Sequence, residues 1–413
     1  MSAAPNKFFS DFIILILKRA FRFFPPTGWL LSLVSQYSWF RIQLESDFAP
    51  KKILRTYELF PEVRAIWNGS RLTNLSSERL DHLAFRTVQG GLLSLNRRGG
   101  FIIKNGHILV PHTGLKAPAK LYFPNTSVAG VVEQTGRHVL LRRQRDTMVI
   151  PQGIFAGSMA PHNWFHWLID NVSTIYFARY LPPQFDDYPL LVAESATRKP
   201  NWLSALELVS AGRAVLAVDP ERHVLVSHLV RLDSITRSNP RPLRGNAPAR
   251  ISVLEAPLLE FRSYMLAELG LAFSEPKAES RVFIGRRPTE ARSYNQREIF
   301  EVASEYGFRL VYLDELNFLE SVKLFCEADV IIGSHGAGWA NLLFCSSETK
   351  ALLWTWGGKD ADNWYENIAY IANVKYRQLN IGSQHTQGVD PRVASFILDV
   401  ARFRGSLEAL LLG

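Results

Sequence analysis

The chain has 413 residues, 47% of them hydrophobic and 21% charged, the composition of a globular protein of two or three domains without repeats or low-complexity tracts. A formal net charge of +9 favours anionic partners, but no RNP-like, zinc-finger or helix-turn-helix pattern accompanies it, so no nucleic acid is expected. Only two cysteines occur, Cys326 and Cys345, each inside an apolar run. This predicts buried reduced thiols, a reducing compartment and no metal cluster.

From Lys7 to Phe24 the apolar run is too short to span a bilayer. Wound as a helix, it gathers Lys7, Ser10, Asp11, Lys18, Arg19 and Arg22 on one half and Phe8, Phe9, Ile13, Leu15, Ile16, Leu17 and Phe24 on the other. Pro25-Pro26 ends it. The basic residues follow the apolar run, unlike those of a signal peptide. Residues 1–26 are therefore expected to lie in the plane of an anionic membrane surface, placing a cytoplasmic protein on the inner face of the cytoplasmic membrane. A helix docked on the protein's own core is the alternative.

Residues 27–85 read as mainly helical, with breaks at Pro50 and Pro61. From Thr87 to Ile150 short β-branched runs punctuated by Gly and Pro predict strands, among them Phe101–Lys104, His107–Val110, Val128–Val132 and His138–Leu141. A helix is expected from Asn163 to Tyr180. Buried strands at Pro189–Val192, Arg213–Val218 and Val224–Leu229 then alternate with a helix near Trp202–Ser210, a parallel βαβ pattern. The Pro- and Arg-rich stretch from Arg237 to Arg250 reads as an interdomain linker.

A second α/β series follows. Helices are expected at Leu258–Leu269, Arg297–Tyr306, Leu319–Cys326 and Trp364–Ala372, and an apolar one at Val393–Leu412. Strands are expected at Val282–Ile284, Arg309–Tyr312, Asp329–Ile332 and Ala351–Trp354. The domain boundaries that result are 1–26, 27–240, 250–390 and 391–413. The two α/β halves imply a crevice where C-terminal strand ends meet a ligand.

Three constellations carry chemistry. The turn Gly333-Ser334-His335-Gly336-Ala337-Gly338 joins a strand to a helix start, so backbone amides and a helix dipole face one spot, as an anion site requires. Its glycine spacing is neither the dinucleotide fingerprint nor a P-loop, and His335 adds a titratable group that a plain turn would not need. In the second constellation, Asn163-Trp-Phe-His166-Trp-Leu-Ile-Asp170-Asn171, His166 and Asp170 share a helix face four residues apart. Such a pair suits a general base, or only a helix-stabilising polar contact. The third is Arg286-Arg287-Pro288 directly after a strand, with Arg292 and Asn295 beyond it. Guanidinium groups there would grip phosphate in a bidentate way, whereas Arg292 and Arg297 read as solvated loop residues.

These segments, together with Phe283-Ile-Gly-Arg286-Arg287, Glu327-Ala-Asp-Val-Ile-Ile-Gly-Ser-His335-Gly-Ala-Gly and Leu352-Leu353-Trp354, resemble glycosyltransferase family 61 in content and order, over roughly residues 90 to 385. That family includes bacterial capsular-polysaccharide proteins and plant and animal transferases. The resemblance implies an α/β fold of GT-B type, two Rossmann-like domains facing across a cleft, with a nucleotide-sugar donor in the C-terminal one. It implies inverting transfer to a glycan or lipid-linked glycan acceptor, with no cofactor beyond the nucleotide sugar as co-substrate and no obligatory metal. Asp170 matches the family's catalytic base, beside His166. Arg286, Arg287, Asn295 and the loop Gly333, Ser334, His335, Gly336, Ala337 and Gly338 correspond to donor-diphosphate contacts. Two departures are Trp339 after the Gly-Ala-Gly and Trp354-Thr-Trp356 in place of a Glu-containing strand end.

Asp360-Ala-Asp362 spells a metal-holding pattern, although two carboxylates make only part of a hard-metal site. Ser334 does not stand in Gly-x-Ser-x-Gly, which excludes a nucleophile elbow. A non-catalytic nucleotide- or glycan-binding scaffold on the same fold is the alternative function. Trp164, Trp167 and Trp364 are candidates either for a sugar groove or for core packing.

Overall fold

The computed structural model describes residues 37–44, 54–60, 65–67, 70–71, 83–96, 99–110, 131–134, 138–142, 146–156, 160–238, 251–271, 280–288, 292–355, 364–381 and 394–412. The expected membrane helix at 1–26, nearly all of the expected linker, Trp356 and Asp360-Ala-Asp362 lie outside the described residues. The chain divides into two compact units, residues 1–63 with 74–250, and residues 64–73 with 251–413.

The first unit opens on β1 (Tyr37–Leu44) and β2 (Leu54–Phe60), while β3 (Ala65–Trp67) and β4 (Ser70–Arg71) belong to the second. The expectation of helix over 27–85 is therefore corrected at 37–44, 54–60, 65–67, 70–71 and 83–85. The run Tyr37-Ser-Trp-Phe-Arg-Ile-Gln-Leu44 is rich in aromatic residues and has period two.

The unit continues with β5 (Leu83–Asn96), β6 (Gly99–Lys104), β7 (His107–Val110), β8 (Val131–Gln134), β9 (His138–Arg142) and β10 (Asp146–Phe155). Beyond the helical segment 164–180 come β11 (Leu190–Ala193), β12 (Val215–Val218), β13 (Arg222–Leu232) and the short β14 (Thr236–Ser238). One mixed sheet runs β12-β11-β10-β13-β5-β6-β7-β1-β9-β8, with β2 also on β5. Its β12-β11-β10-β13 portion is wholly parallel, with the helical segment 164–180 and the helix Pro200–Val209 as the crossovers from β10 to β11 and from β11 to β12.

The second unit contains β15 (Ile251–Leu254), which pairs antiparallel with β3. Its centre is a parallel sheet of β16 (Arg281–Ile284), β17 (Arg309–Val311), β18 (Val330–Ser334), β19 (Lys350–Thr355) and β20 (Lys375–Asn380) in the order β17-β16-β18-β19-β20. Helices Gln296–Glu305, Phe318–Glu327 and Trp364–Ala372 form three of the crossovers. Strand β18 is buried throughout, which is why Val330-Ile-Ile332 reads as a continuous apolar run. Phe283, Ile332, Leu352, Trp354, Phe403 and Leu407 form the core on one face. Counted within this sheet the order is 2-1-3-4-5, a doubly wound, Rossmann-like arrangement whose switch point falls between β16 and β18.

The C-terminal helix starts at Val400, not at Val393. Upstream of it the backbone is pinned by hydrogen bonds. Asn295 Oδ1 accepts from Leu398 N at 2.9 Å, Asn295 Nδ2 donates to Leu398 O at 3.0 Å, and Phe396 N donates to Ser293 O at 3.0 Å.

Candidate active site

In the second unit, β16 and β18 are adjacent and parallel, with Ile284 opposite Gly333. Arg286 and His335 thus emerge from the same sheet edge at its switch point, where open α/β sheets bind ligands. Arg286 Nη1 donates to the His335 carbonyl at 3.1 Å, and the Arg286 amide donates to Gln296 Oε1 at 2.6 Å. The loop is fixed from several sides. His335 N donates to Trp354 O at 2.9 Å, Trp339 Nε1 to Ser334 O at 2.9 Å, and Tyr365 Oη to Gly336 O at 2.8 Å. Gly333 is required by packing, because a Cβ there would stand 3.0 Å from Ile284 Cβ and 3.1 Å from its carbonyl oxygen.

Ala337–Phe344 is a 3-10 helix with Gly336 as N-cap, in place of the expected amphipathic α-helix. The amide of His335 is committed to Trp354, so the anion cradle narrows to the first amides of that helix, at Ala337 and Gly338. Trp339 and Trp354, the two departures noted in the sequence, are 1% and 0% exposed. Trp339 ties its own loop down instead of lining a site.

The electrostatics of this edge are one-sided. Burial, then the positive Arg292 and Arg286, push the His335 imidazole down to about 4, so it is neutral at pH 7. Its ring meets Tyr365 edge-on at 5.2 Å. Arg286 is lowered by burial first and by Arg292 second, and its Nε is buried with no partner among the described residues. The charged groups acting on both are arginines. Arg292, read from the sequence as a solvated loop residue, is therefore part of this cluster, and its backbone is in the left-handed region at φ 60°. A non-glycine residue held there stores about 1 kcal/mol or more of strain, a feature that gathers at ligand sites. Three basic side chains gathered at one sheet edge favour a polyvalent anion.

Two expected donor contacts are placed elsewhere. Arg287 is half exposed, pairs with Glu315 and with Asp314 at 3.6 Å, and lies 4.2 Å over the Tyr312 ring. Its charge is already answered by two carboxylates. Asn295 spends its amide on Leu398 and on Glu298 at 2.8 Å, so it clamps the C-terminal segment. Arg297 is solvent-exposed and pairs with Glu301 at 3.4 Å, as expected of a loop or helix-surface charge.

The first unit holds His166 and Asp170. Asn163 caps the helical segment, its Oδ1 accepting from Phe165 N at 2.9 Å. One turn later Trp167–Val172 widens into a π-helix, a distortion that costs backbone pairing and gathers at functional sites. Side chains take up the released carbonyls: Asn171 Nδ2 donates to His166 O at 2.7 Å and Thr174 Oγ1 to Asp170 O at 2.7 Å. His166 Nδ1 donates to Asp170 Oδ2 at 2.6 Å, and Thr236 Oγ1 donates to Asp170 Oδ1 at 2.5 Å.

This geometry bears on how the His166–Asp170 pair would share proton transfer. Asp170 is 1% exposed and each carboxylate oxygen accepts a side-chain hydrogen bond. The His166 side chain is 20% exposed. A carboxylate only accepts, so Nδ1 carries the proton and Nε2 is the basic nitrogen. Of the pair, His166 is the more exposed and Asp170 the more buried. Among the tryptophans, Trp167 and Trp364 are buried at 1% and 7%, while Trp164 is half-buried against Trp202 at 4.8 Å.

Residues 164–352 match the family model described as Glycosyltransferase 61, a span that includes His166, Asp170, Thr236, Arg286, Arg292 and His335. The rice (Oryza sativa subsp. japonica) alpha-1,3-arabinosyltransferase XAT3 is 30% identical over 122 residues, 28% of this chain and 21% of the rice protein. XAT2 from the same plant is 30% identical over 158 residues, 35% of this chain and 26% of that protein. The Drosophila melanogaster EGF domain-specific O-linked N-acetylglucosamine transferase is 26% identical over 121 residues, 28% of this chain and 23% of the fly protein. The matched region thus spans between 21% and 26% of the length of these relatives.

Proposed function

We propose that this chain, a member of glycosyltransferase family 61 across residues 164–352, moves a sugar from a nucleotide-activated donor to a hydroxyl of a glycan or lipid-linked glycan acceptor. The product in this reading is capsule or another surface polysaccharide. The observation that carries it is the cluster of Arg286, Arg292 and His335 at the switch point of a parallel sheet, where a diphosphate would be held by charge and amides together.

The acceptor hydroxyl gives its proton to His166 Nε2 as its oxygen attacks the anomeric carbon, and Asp170 stabilises the imidazolium that forms. The bond from the anomeric carbon to the diphosphate breaks with its electron pair on the phosphate oxygen, whose charge is met by Arg286, Arg292 and the loop amides. Attack opposite the leaving group inverts the anomeric centre. The guanidinium groups supply the neutralisation that a divalent cation supplies elsewhere. The proton-taking pair and the cation cluster belong to different units, so the reading includes the GT-B arrangement. The amphipathic N-terminus would hold the enzyme on an anionic membrane surface at the cytoplasmic face.

The test is a panel of nucleotide sugars screened by thermal shift and then by transfer in EDTA, with the anomeric configuration of product read by NMR. One donor should raise the melting temperature through mass action and be turned over with inversion. Asp170→Asn should lower transfer by about 10²–10⁴ while leaving donor affinity unchanged. Retention of configuration, or wild-type turnover by Asp170→Asn, would refute the reading.

A further inference from the structure

Thr236 lies 66 residues from Asp170 in sequence, yet its hydroxyl donates to Asp170 Oδ1 at 2.5 Å. A threonine hydroxyl carries one proton, and this one is spent on the carboxylate. The second contact of Thr236 Oγ1, with Ser234 Oγ at 3.0 Å, must therefore be accepted from Ser234. Ser234 Oγ in turn accepts from the Thr236 amide at 3.2 Å. The direction of the chain is fixed: Ser234 to Thr236 to Asp170 Oδ1, with His166 Nδ1 arriving at Oδ2.

The segment that presents Thr236 is rigid for its own reasons. It follows the C-terminal end of β13, and Leu232 and Ile235 are 1% and 0% exposed. Between them the buried Asp233 accepts from Arg231 at 2.7 Å and from Arg86. An ion pair that is buried and hydrogen-bonded on both sides holds its backbone in one place, since breaking it would strand a charge. The π-helix does the same for Asp170 from the other side.

We propose that Thr236 is a positioning residue: it locks the Asp170 carboxylate in the rotamer that holds His166 in the Nδ1–H tautomer, so that Nε2 stays basic. The claim rests on the transferase reading only for its kinetic consequence. A carboxylate with one oxygen released can rotate about its side-chain bonds, and the imidazole then loses its orienting acceptor.

The test uses Thr236→Val, which keeps the shape and removes the donor, with Thr236→Ser as rescue and Thr236→Ala as a second variant should the valine not fold. In full-length protein labelled with ¹⁵N at histidine, His166 should show the Nδ1–H tautomer in the wild type. A measurable Nε2–H share should appear in the valine or alanine variant and vanish in the serine one. With donor and acceptor, kcat should fall about tenfold for valine with donor KM within twofold, and recover in serine. A folded valine or alanine variant with an unaltered His166 tautomer overturns the proposal. A tautomer change in a protein that transfers no sugar upholds Thr236 and rejects the transferase reading instead.

Discussion

Replacing Arg292 with glycine should make the protein more stable and a worse binder of diphosphate, two effects of opposite sign from one residue. Arg292 sits at φ 60°, where a non-glycine residue costs roughly 1–2 kcal/mol. Glycine removes that cost but enlarges the unfolded ensemble, which takes back about 0.5–1 kcal/mol. Loss of the positive charge acting on Arg286 and His335 adds to the gain. The net expectation is about 0.5–1 kcal/mol, or ~1–3 °C in melting temperature for a domain of this size. On the binding side, a charged donor is worth about 1.5–3 kcal/mol, so dissociation constants for pyrophosphate and nucleoside diphosphates should rise about 10- to 150-fold. Arg292→Ala separates the two effects, because alanine keeps the strain and loses the charge. It should melt between the wild type and the glycine variant, gaining only from the lost repulsion, and match the glycine variant in binding. Scanning fluorimetry without ligand and titration calorimetry with pyrophosphate read both quantities. An unliganded Arg292→Gly protein that melts lower and binds pyrophosphate as tightly as the wild type would show that Arg292 is neither strained nor part of the site.

Two further outcomes follow from the same edge of the sheet. The His335 imidazole titrates near 4 in the folded protein against an ordinary 6.5, so between those values the unfolded chain binds the extra proton and stability falls as pH falls. From pH 7 to 4.5 the wild type should lose on the order of 2–3 kcal/mol more than His335→Gln in urea melts, and equal losses would remove the buried neutral imidazole from the account. Gly333→Ala would press a Cβ to 3.0 Å from Ile284 Cβ and 3.1 Å from its carbonyl. Backbone cannot give way as a side chain can, so a loss of about 1–3 kcal/mol is expected, visible as a drop in melting temperature. At Gly336, where the nearest atom is Arg286 Nη1 at 3.6 Å, alanine should be tolerated, and a similar drop there would discredit the steric argument.

The second unit was largely legible because its signals are local. Val330-Ile-Ile332 is a strand buried on both faces and therefore reads as an apolar run. Asn317 and Glu320 start the helix Phe318–Glu327 with a capping box visible as Asn-x-x-Glu. His166 and Asp170 were legible as an i, i+4 pair, but the π-helical turn between them was not, since nothing in Trp167–Val172 announces an extra residue per turn. Residues 37–60 were misread because scattered basic positions hid a period of two. Arg287 and Asn295 looked like ligand contacts only because sequence shows what precedes them, not Glu315 or Leu398, which claim them from elsewhere in the chain. Thr236 gave no signal, because its importance lies in one hydrogen bond across 66 positions.

The neutral His335 resolves a difficulty in building such a site. Three permanent cations with no acid among them would repel one another whenever the site is empty, and burial would add a desolvation cost to each. Burying an imidazole beside two arginines keeps only two permanent charges, because burial first, and the arginines second, drive its proton off. Under the proposed function a diphosphate would reverse that balance, since negative charge against the ring favours the protonated form, and the ligand would recruit a third cation on arrival. Lysine at position 335, with an ordinary value of about 10.4, would hold its proton far more stubbornly and would leave the empty site strained by repulsion. A strand-to-helix turn needs no histidine for its geometry. A site that must be quiet when empty and strongly cationic when filled does need a group whose charge is decided by its neighbours.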